Sequence, residues 1–185
     1  EIRSRGLGDV YKRQVILCIF VSLMKNIIII SATSGNNLNL ARKIGELIEL
    51  QYQIISLEDY HLPLYAGNIE LENKTLINDL CQKVINADGF IFCGPEYNGG
   101  SAPILTNAIT WISVTTDYWK DAFKGKIGLI ATHSGGNGES FLLTFRQQLE
   151  FLGVVVYPES IKVNKTNSFD AKLTKKIIKD FQFQS

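Results

Sequence analysis

Three short stretches of the chain combine glycine with asparagine and hydroxyl side chains, and each follows an apolar run. They are residues 31–37, 94–101 and 133–139, which read SATSGNN, GPEYNGGS and HSGGNGE. Backbone N–H groups and short polar side chains in such stretches can bind an anion at a helix N-terminus without a cationic residue. Their composition therefore predicts recognition of an anionic ligand.

Several other chemistries are excluded by motifs that the chain lacks. There is no Gly-x-x-x-x-Gly-Lys-Ser/Thr phosphate loop, no Gly-x-Gly-x-x-Gly fingerprint and no Gly-x-Ser-x-Gly nucleophile elbow. His61 and His133 have no recognisable partner and are interpreted as ordinary loop residues. Cys18, Cys81 and Cys93 are odd in number and widely spaced, which indicates neither a disulfide framework nor a metal site. We assign no catalytic side chain and no metal ligand, and interpret Cys93 as a packing residue, with a reactive thiol as the alternative.

Alternating apolar segments provide the elements that must position the three stretches. Continuous β-propense runs predict strands at residues 25–31, 52–57, 89–93, 126–132 and 154–157. Helical spacing predicts a helix after each of the first four strands, the first with Asn37 as N-cap and the third with Pro103 in its first turn, and a closing helix over 171–181. The fold class is therefore α/β: a flavodoxin-like three-layer sandwich, with a five-stranded parallel sheet of order 2-1-3-4-5 and helices on both faces.

This strand order makes the three polar stretches neighbours. Each follows one of the first, third and fourth strands, which lie side by side in a 2-1-3-4-5 sheet. Ligands bind at the carboxyl ends of the strands in open α/β sheets. We therefore expect the three stretches to form one binding site.

The first 23 residues differ from the rest of the chain. Residues 4–14 resemble the translation of a sequencing-library adaptor, and Met24 is the only methionine. We interpret 1–23 as a non-native leader and 24–185 as a single domain of a soluble, cytoplasmic protein with no membrane partner. A signal peptide is the alternative, because two basic residues precede the apolar run 15–21. The formal net charge of +1 indicates no nucleic-acid partner.

The stretch from Gly94 to Ser113 carries a more specific signal. It reads GPEYNxxSxPxLxNAIxWxS, where x marks positions outside the pattern, and it resembles the signature of the NADPH-dependent FMN reductase family of flavodoxin-like flavoproteins. That family includes quinone, azo-dye and chromate reductases. Residues 62–65 and 134–136 resemble the family's flanking loops. The first loop departs from the family pattern because it has no arginine, and it resembles instead the uncharged phosphate loop of flavodoxins.

The resemblance implies FMN as a noncovalent cofactor and NAD(P)H as co-substrate. Hydride would pass to the flavin and electrons then to a small acceptor (a quinone, an azo compound, free flavin or a metal oxyanion) in a ping-pong cycle, and the protein would form a homodimer or homotetramer. A flavodoxin-like electron carrier without NAD(P)H turnover and a flavin-free binding protein are the alternatives. The implied cofactor-binding residues are Thr33, Ser34, Gly35, Asn36 and Asn37 for the phosphate, Pro95, Glu96, Tyr97 and Asn98 beside the isoalloxazine, and Ser134, Gly135 and Gly136 on its other side.

Overall fold

The computed structural model describes residues 26–67, 69 and 74–184, so the leader assigned to 1–23 lies outside the described residues. The described chain alternates strands and helices, as the sequence predicts. The strands are β1 (Asn26–Ser31), β2 (Gln51–Ser56), β3 (Gly89–Cys93), β4 (Glu96–Tyr97), β5 (Gly100–Ser101), β6 (Ile127–His133) and β7 (Val155–Val163). The α-helices are α1 (Asn36–Gly45), α2 (Thr75–Asn86), α3 (Pro103–Thr115), α4 (Glu139–Phe151) and α5 (Ala171–Gln184), and a 3-10 helix covers Leu57–Tyr60.

The main sheet has five strands in the order β2-β1-β3-β6-β7, and every neighbouring pair is parallel. Strands β4 and β5 form a separate antiparallel hairpin. Without that hairpin, the order is the flavodoxin-like 2-1-3-4-5. The predicted fold class is confirmed.

Helices cover both faces of the sheet because consecutive strand residues point to opposite sides. In β1, Ile27 and Ile29 pack with α1 and α5, whereas Ile28 and Ile30 pack with α2, α3 and α4. All four isoleucines are buried, which explains why β1 is a continuous apolar run rather than an alternating one. Within the described part of the chain, no helix is both long and apolar enough to cross a membrane.

Several element boundaries differ from the sequence prediction, most notably the start of α1 and the end of β7. Helix α1 has Gly35 as its N-cap, and Asn37, the predicted cap, lies inside its first turn. Strand β7 continues to Val163, well beyond the predicted end at residue 157. A register shift in its pairing with β6 accommodates Pro158, which cannot donate a hydrogen bond to the sheet.

Candidate functional site

The three polar loops meet at the carboxyl edge of the sheet and are joined by hydrogen bonds. The Asn37 side chain bonds both backbone groups of His133: its Nδ2 donates to the carbonyl at 3.1 Å, and its Oδ1 accepts from the N–H at 2.8 Å. The Glu96 N–H donates to Ser134 Oγ at 2.8 Å. The first loop is therefore tied to the third, and the second loop to the third.

The first loop presents its backbone outward. Ser34, Gly35 and Asn36 are exposed, and a Cβ added at Gly35 would meet no atom within 4 Å. The Ser31 hydroxyl turns inward and donates to the Thr33 carbonyl at 2.7 Å. Because the first N–H groups of a helix have no acceptor within that helix, the start of α1 offers unpaired donors to a ligand.

One donor of this loop already binds an anionic group. The Ser34 N–H donates to Glu58 Oε2 at 2.9 Å, and Glu58 lies in the 3-10 helix that follows β2. The position of this carboxylate shows that the Ser34 amide points where an anionic group can reach it.

The Asn37 side chain links the first loop to the third loop. Its side chain is 2 % exposed, and both of its polar atoms are bonded to His133. The side chain therefore positions two loops against each other.

The second loop is a tight hairpin, which the sequence analysis did not predict. Glu96 pairs with Ser101, and Tyr97 pairs with Gly100. Asn98 and Gly99, with φ of 49° and 72°, form the two-residue connection that Asn-Gly sequences favour because both residues tolerate left-handed φ. The side chains of Tyr97 and Asn98 are exposed at its tip, and Pro95 is buried at its base.

The Glu96 side chain is hydrogen-bonded to another element of the protein. Its carboxylate accepts hydrogen bonds from the N–H groups of Ser140 and Phe141, at 3.0 and 3.4 Å. These are orphan donors of the first turn of α4, so Glu96 acts as an N-cap supplied by a different element. The partner of its own N–H, Ser134 Oγ, lies 2.7 Å from the Thr132 hydroxyl.

The third loop combines an open backbone with a constrained end. Gly135 and Gly136 are exposed, and a Cβ at either would meet nothing within 4 Å. Gly138 has φ of 77°, and a Cβ there would lie 2.9 Å from Thr132 Cγ2. The Ser134 N–H donates to the Val163 carbonyl at 3.1 Å, which fixes the loop to β7.

Comparison with known proteins decides which family this arrangement belongs to. Residues 24–168 match the family model described as NADPH-dependent FMN reductase, which is most of the chain. The chain belongs to the NADPH-dependent FMN reductase family. It is accordingly an oxidoreductase of a class that works with FMN and NAD(P)H.

Individual relatives agree with this family. The chain is 32 % identical over 129 residues to the MG342 homolog of Mycoplasma pneumoniae, covering 65 % of this chain and 76 % of that protein. It is 25 % identical over 134 residues to 2-hydroxy-1,4-benzoquinone reductase from a Burkholderia species, covering 72 % and 69 %. Among solved structures, the flavoenzyme FerB from Paracoccus denitrificans superposes with a TM-score of 0.71 at 21 % identity, covering 86 % of this chain and 96 % of that one, a likeness of fold.

The residues present fit the cofactor of the FMN reductase family. The first loop offers N–H groups and hydroxyls, and the Glu58 carboxylate already occupies one of these donors as an anion would. A Cβ at Gly135 or Gly136 would meet no atom within 4 Å, so the backbone of the third loop is open to close approach by a ligand. The twelve residues implied by the resemblance all lie on these three loops, but the side chains of Asn37 and Glu96 and the hydroxyl of Ser134 are engaged within the protein.

Two further side chains of the family signature hold a fourth loop, although the sequence alone assigned them no role. Asn107 Oδ1 accepts from the Tyr65 N–H at 2.8 Å, and Asn107 Nδ2 donates to the Pro63 carbonyl at 2.9 Å. Trp111 Nε1 donates to the same carbonyl at 2.7 Å, and its ring meets Tyr65 edge to face. Their i, i+4 spacing on α3 was the available signal, because it places both on one helix face.

Cys93 ends β3 and is fully buried in the core on the side of the sheet covered by α1 and α5. Burial raises the pKa of its thiol far above the usual range, and burial also raises the pKa of Cys81, to about 11. Both are interpreted as packing residues. The described residues contain no group of histidine, cysteine and carboxylate side chains able to hold a metal ion.

Proposed function

We propose that this chain is an FMN-dependent NAD(P)H oxidoreductase that reduces a small acceptor in a ping-pong cycle. The observation that carries the proposal is the convergence of three donor-rich loops at one sheet edge in a chain of the FMN reductase family. Bound FMN would supply the redox chemistry, accepting hydride from the nicotinamide and delivering electrons to the acceptor.

The chain's own contribution would be binding and orientation. Backbone N–H groups of residues 34–37 and the hydroxyls of Thr33 and Ser34 would hold the phosphate at the start of α1. The backbone of residues 95–98 would bond the polar edge of the isoalloxazine. The open backbone of 134–136 would allow close approach from the other side.

Tyr97 is the aromatic side chain best placed to contact the ring. It is half exposed at the hairpin tip, although an aromatic residue there gains little from solvent contact. No proton-transfer residue is assigned, because the cycle needs none from the protein.

The acceptor class that we propose is a quinone, as the name of the Burkholderia relative suggests. Azo compounds, free flavin and metal oxyanions are further candidates. Assembly as a homodimer or homotetramer and a cytoplasmic location belong to the same proposal. Light scattering of the purified protein would test the assembly.

A turnover assay tests the function directly. Purified protein is mixed with FMN, NADPH or NADH, and a benzoquinone, and absorbance at the nicotinamide and flavin bands is followed under anaerobic conditions. We expect consumption of reduced nicotinamide that requires both protein and FMN. Flavin binding without nicotinamide oxidation would identify an electron carrier instead, and no flavin binding would indicate a flavin-free protein.

A double substitution tests the assignment of the hairpin tip. Asn98 has a left-handed φ, so Asn98→Gly removes the amide without straining the turn, and it is combined with Tyr97→Ala. We expect weaker FMN binding in a fluorescence titration and an unchanged free energy of unfolding. Thr106→Ala, on the exposed side of α3, is the control. Unchanged FMN affinity in the double variant would reject the assignment.

A further inference from the structure

Glu58 occupies a position that the neighbouring loops impose on it. Strand β2 pairs with β1 so that Ser56 lies opposite Ser31, and the 3-10 helix Leu57–Tyr60 therefore begins beside the first loop. From there Glu58 reaches across and accepts the Ser34 N–H at 2.9 Å.

The 3-10 helix is anchored, so the contact does not depend on a loosely held segment. Leu57 and Tyr60 are both buried in the core on either side of Glu58. The Tyr60 hydroxyl donates to Asp79 at 3.2 Å and accepts from Lys83 at 3.1 Å, which ties the segment to α2. The backbone that carries Glu58 is thus held in place, while its side chain is only partly buried and can turn toward solvent.

The charges around the first loop make this carboxylate significant. Residues 31–37 contain no lysine, arginine or histidine. The cations of α1, Arg42 and Lys43, lie in its last turn; Arg42 bonds Asn39, and Lys43 lies over the Phe169 ring. A phosphate at the start of α1 would consequently meet a negative charge on one of its donors, without a cation in the loop to offset it.

We propose that Glu58 is an intramolecular competitor for the flavin phosphate, which shares the Ser34 N–H with it and makes FMN an exchangeable ligand. The inference rests on the proposed FMN function and adds a residue that sets the specificity for the phosphorylated flavin. With Glu58 in place, the loop keeps a satisfied donor in the absence of FMN. When phosphate binds, the carboxylate must leave that donor, and this lowers the preference for FMN over riboflavin.

Flavin affinities of charge variants test the proposal. FMN and riboflavin are titrated into flavin-free wild-type protein and into Glu58→Gln, with dissociation constants from flavin fluorescence. Glutamine has nearly the same shape but no charge. We expect FMN binding about fivefold tighter, which corresponds to an interaction of about 1 kcal/mol, and riboflavin binding unchanged. Asp59→Asn, which removes the exposed neighbouring carboxylate, should change neither by as much as twofold.

A second measurement uses the wild-type protein alone. In amide-resolved NMR spectra, the Ser34 resonance should shift on addition of FMN or of inorganic phosphate, and much less on addition of riboflavin. FMN affinity that is unchanged or weaker in Glu58→Gln would overturn the competition, as would equal tightening of FMN and riboflavin. Failure of every variant to bind flavin would instead refute the proposed function, so the two failures are distinguishable.

Discussion

The hairpin and third loop differ from the first loop in how firmly the protein holds them. The hairpin is braced by the Glu96 carboxylate on the start of α4 and by the Glu96 N–H on Ser134. The first loop is joined to the third by Asn37, and its Ser34 N–H bonds the partly exposed Glu58. In the proposed function, the braced side would orient the flavin ring and the first loop would bind the phosphate.

Glycines at the base of the braced side are closely packed, unlike Gly135 and Gly136 in the middle of the third loop, which are open. A Cβ at Gly94, before the hairpin, would lie 2.9 Å from the Phe141 ring, and one at Gly138 would lie 2.9 Å from Thr132. A Cβ at Gly35 would meet nothing within 4 Å. Close packing beneath the hairpin therefore restricts movement there, whereas the first loop has space above it.

The largest effect on stability is expected from Gly138→Ala, at the end of the third loop. Left-handed φ costs alanine about 1–2 kcal/mol, and the contact with Thr132 adds about 1 kcal/mol more, so we expect a loss of about 3 kcal/mol. The measurement is chemical denaturation of the flavin-free protein. The control is Gly135→Ala, in the same loop, with no positive φ and no nearby atom. Equal stabilities for the two variants would remove the contrast between these glycines.

Asn37→Ala tests the hydrogen bonds that hold the first loop to the third loop. The substitution leaves the N–H and carbonyl of His133 without their partner, and we expect the free energy of unfolding to fall by about 2 kcal/mol. Asn36→Ala is the matched control one residue away, where the side chain is exposed, and should stay within about 0.5 kcal/mol of wild type. If both variants unfold at the same denaturant concentration, Asn37 does not support the loop.

Glu96→Ala removes the brace that joins the hairpin to α4. Loss of an N-cap costs about 1 kcal/mol, and the N–H groups of Ser140 and Phe141 lose their acceptor. Glu96→Gln keeps an oxygen acceptor without the charge and should lose about half as much. Denaturation midpoints in the order wild type, glutamine, alanine support the cap, and a glutamine variant as unstable as alanine would mean that charge alone matters.

The sheet was predictable from the sequence because its signals are local and strong. Continuous isoleucines in β1 and the run Gly89–Cys93 have no competing interpretation, and the alternation with helices restricts the strand order. The meeting of the three loops then follows from topology. The register of β7 was not predictable, because Pro158 and Glu159 interrupt its apolar pattern and a bulge restores the pairing.

The roles of individual site residues were less predictable than their location. Asn37 and Glu96 have the residue types expected of ligand-binding groups, yet their partners are backbone groups 96 and 44 positions away in the sequence. No local sequence pattern indicates contacts between residues so far apart in the sequence. The contact between Glu58 and Ser34 was not predictable from the sequence either, because it depends on the pairing of β2 with β1.

The smallest effect is expected from a reagent rather than a substitution. Cys93 ends β3 in the core on the side of the sheet covered by α1 and α5, and burial holds the pKa of its thiol well above the usual range. Since thiolate is the reactive form, iodoacetamide at pH 8 should leave Cys93 unmodified in folded protein, and should modify it in denaturant. Cys81, with its pKa raised to about 11, should react slowly at pH 8 and faster as the pH rises toward that value. Peptide mapping by mass spectrometry resolves the two sites. Rapid labelling of Cys93 in the folded protein would show that the core at the end of β3, on the side covered by α1 and α5, opens readily.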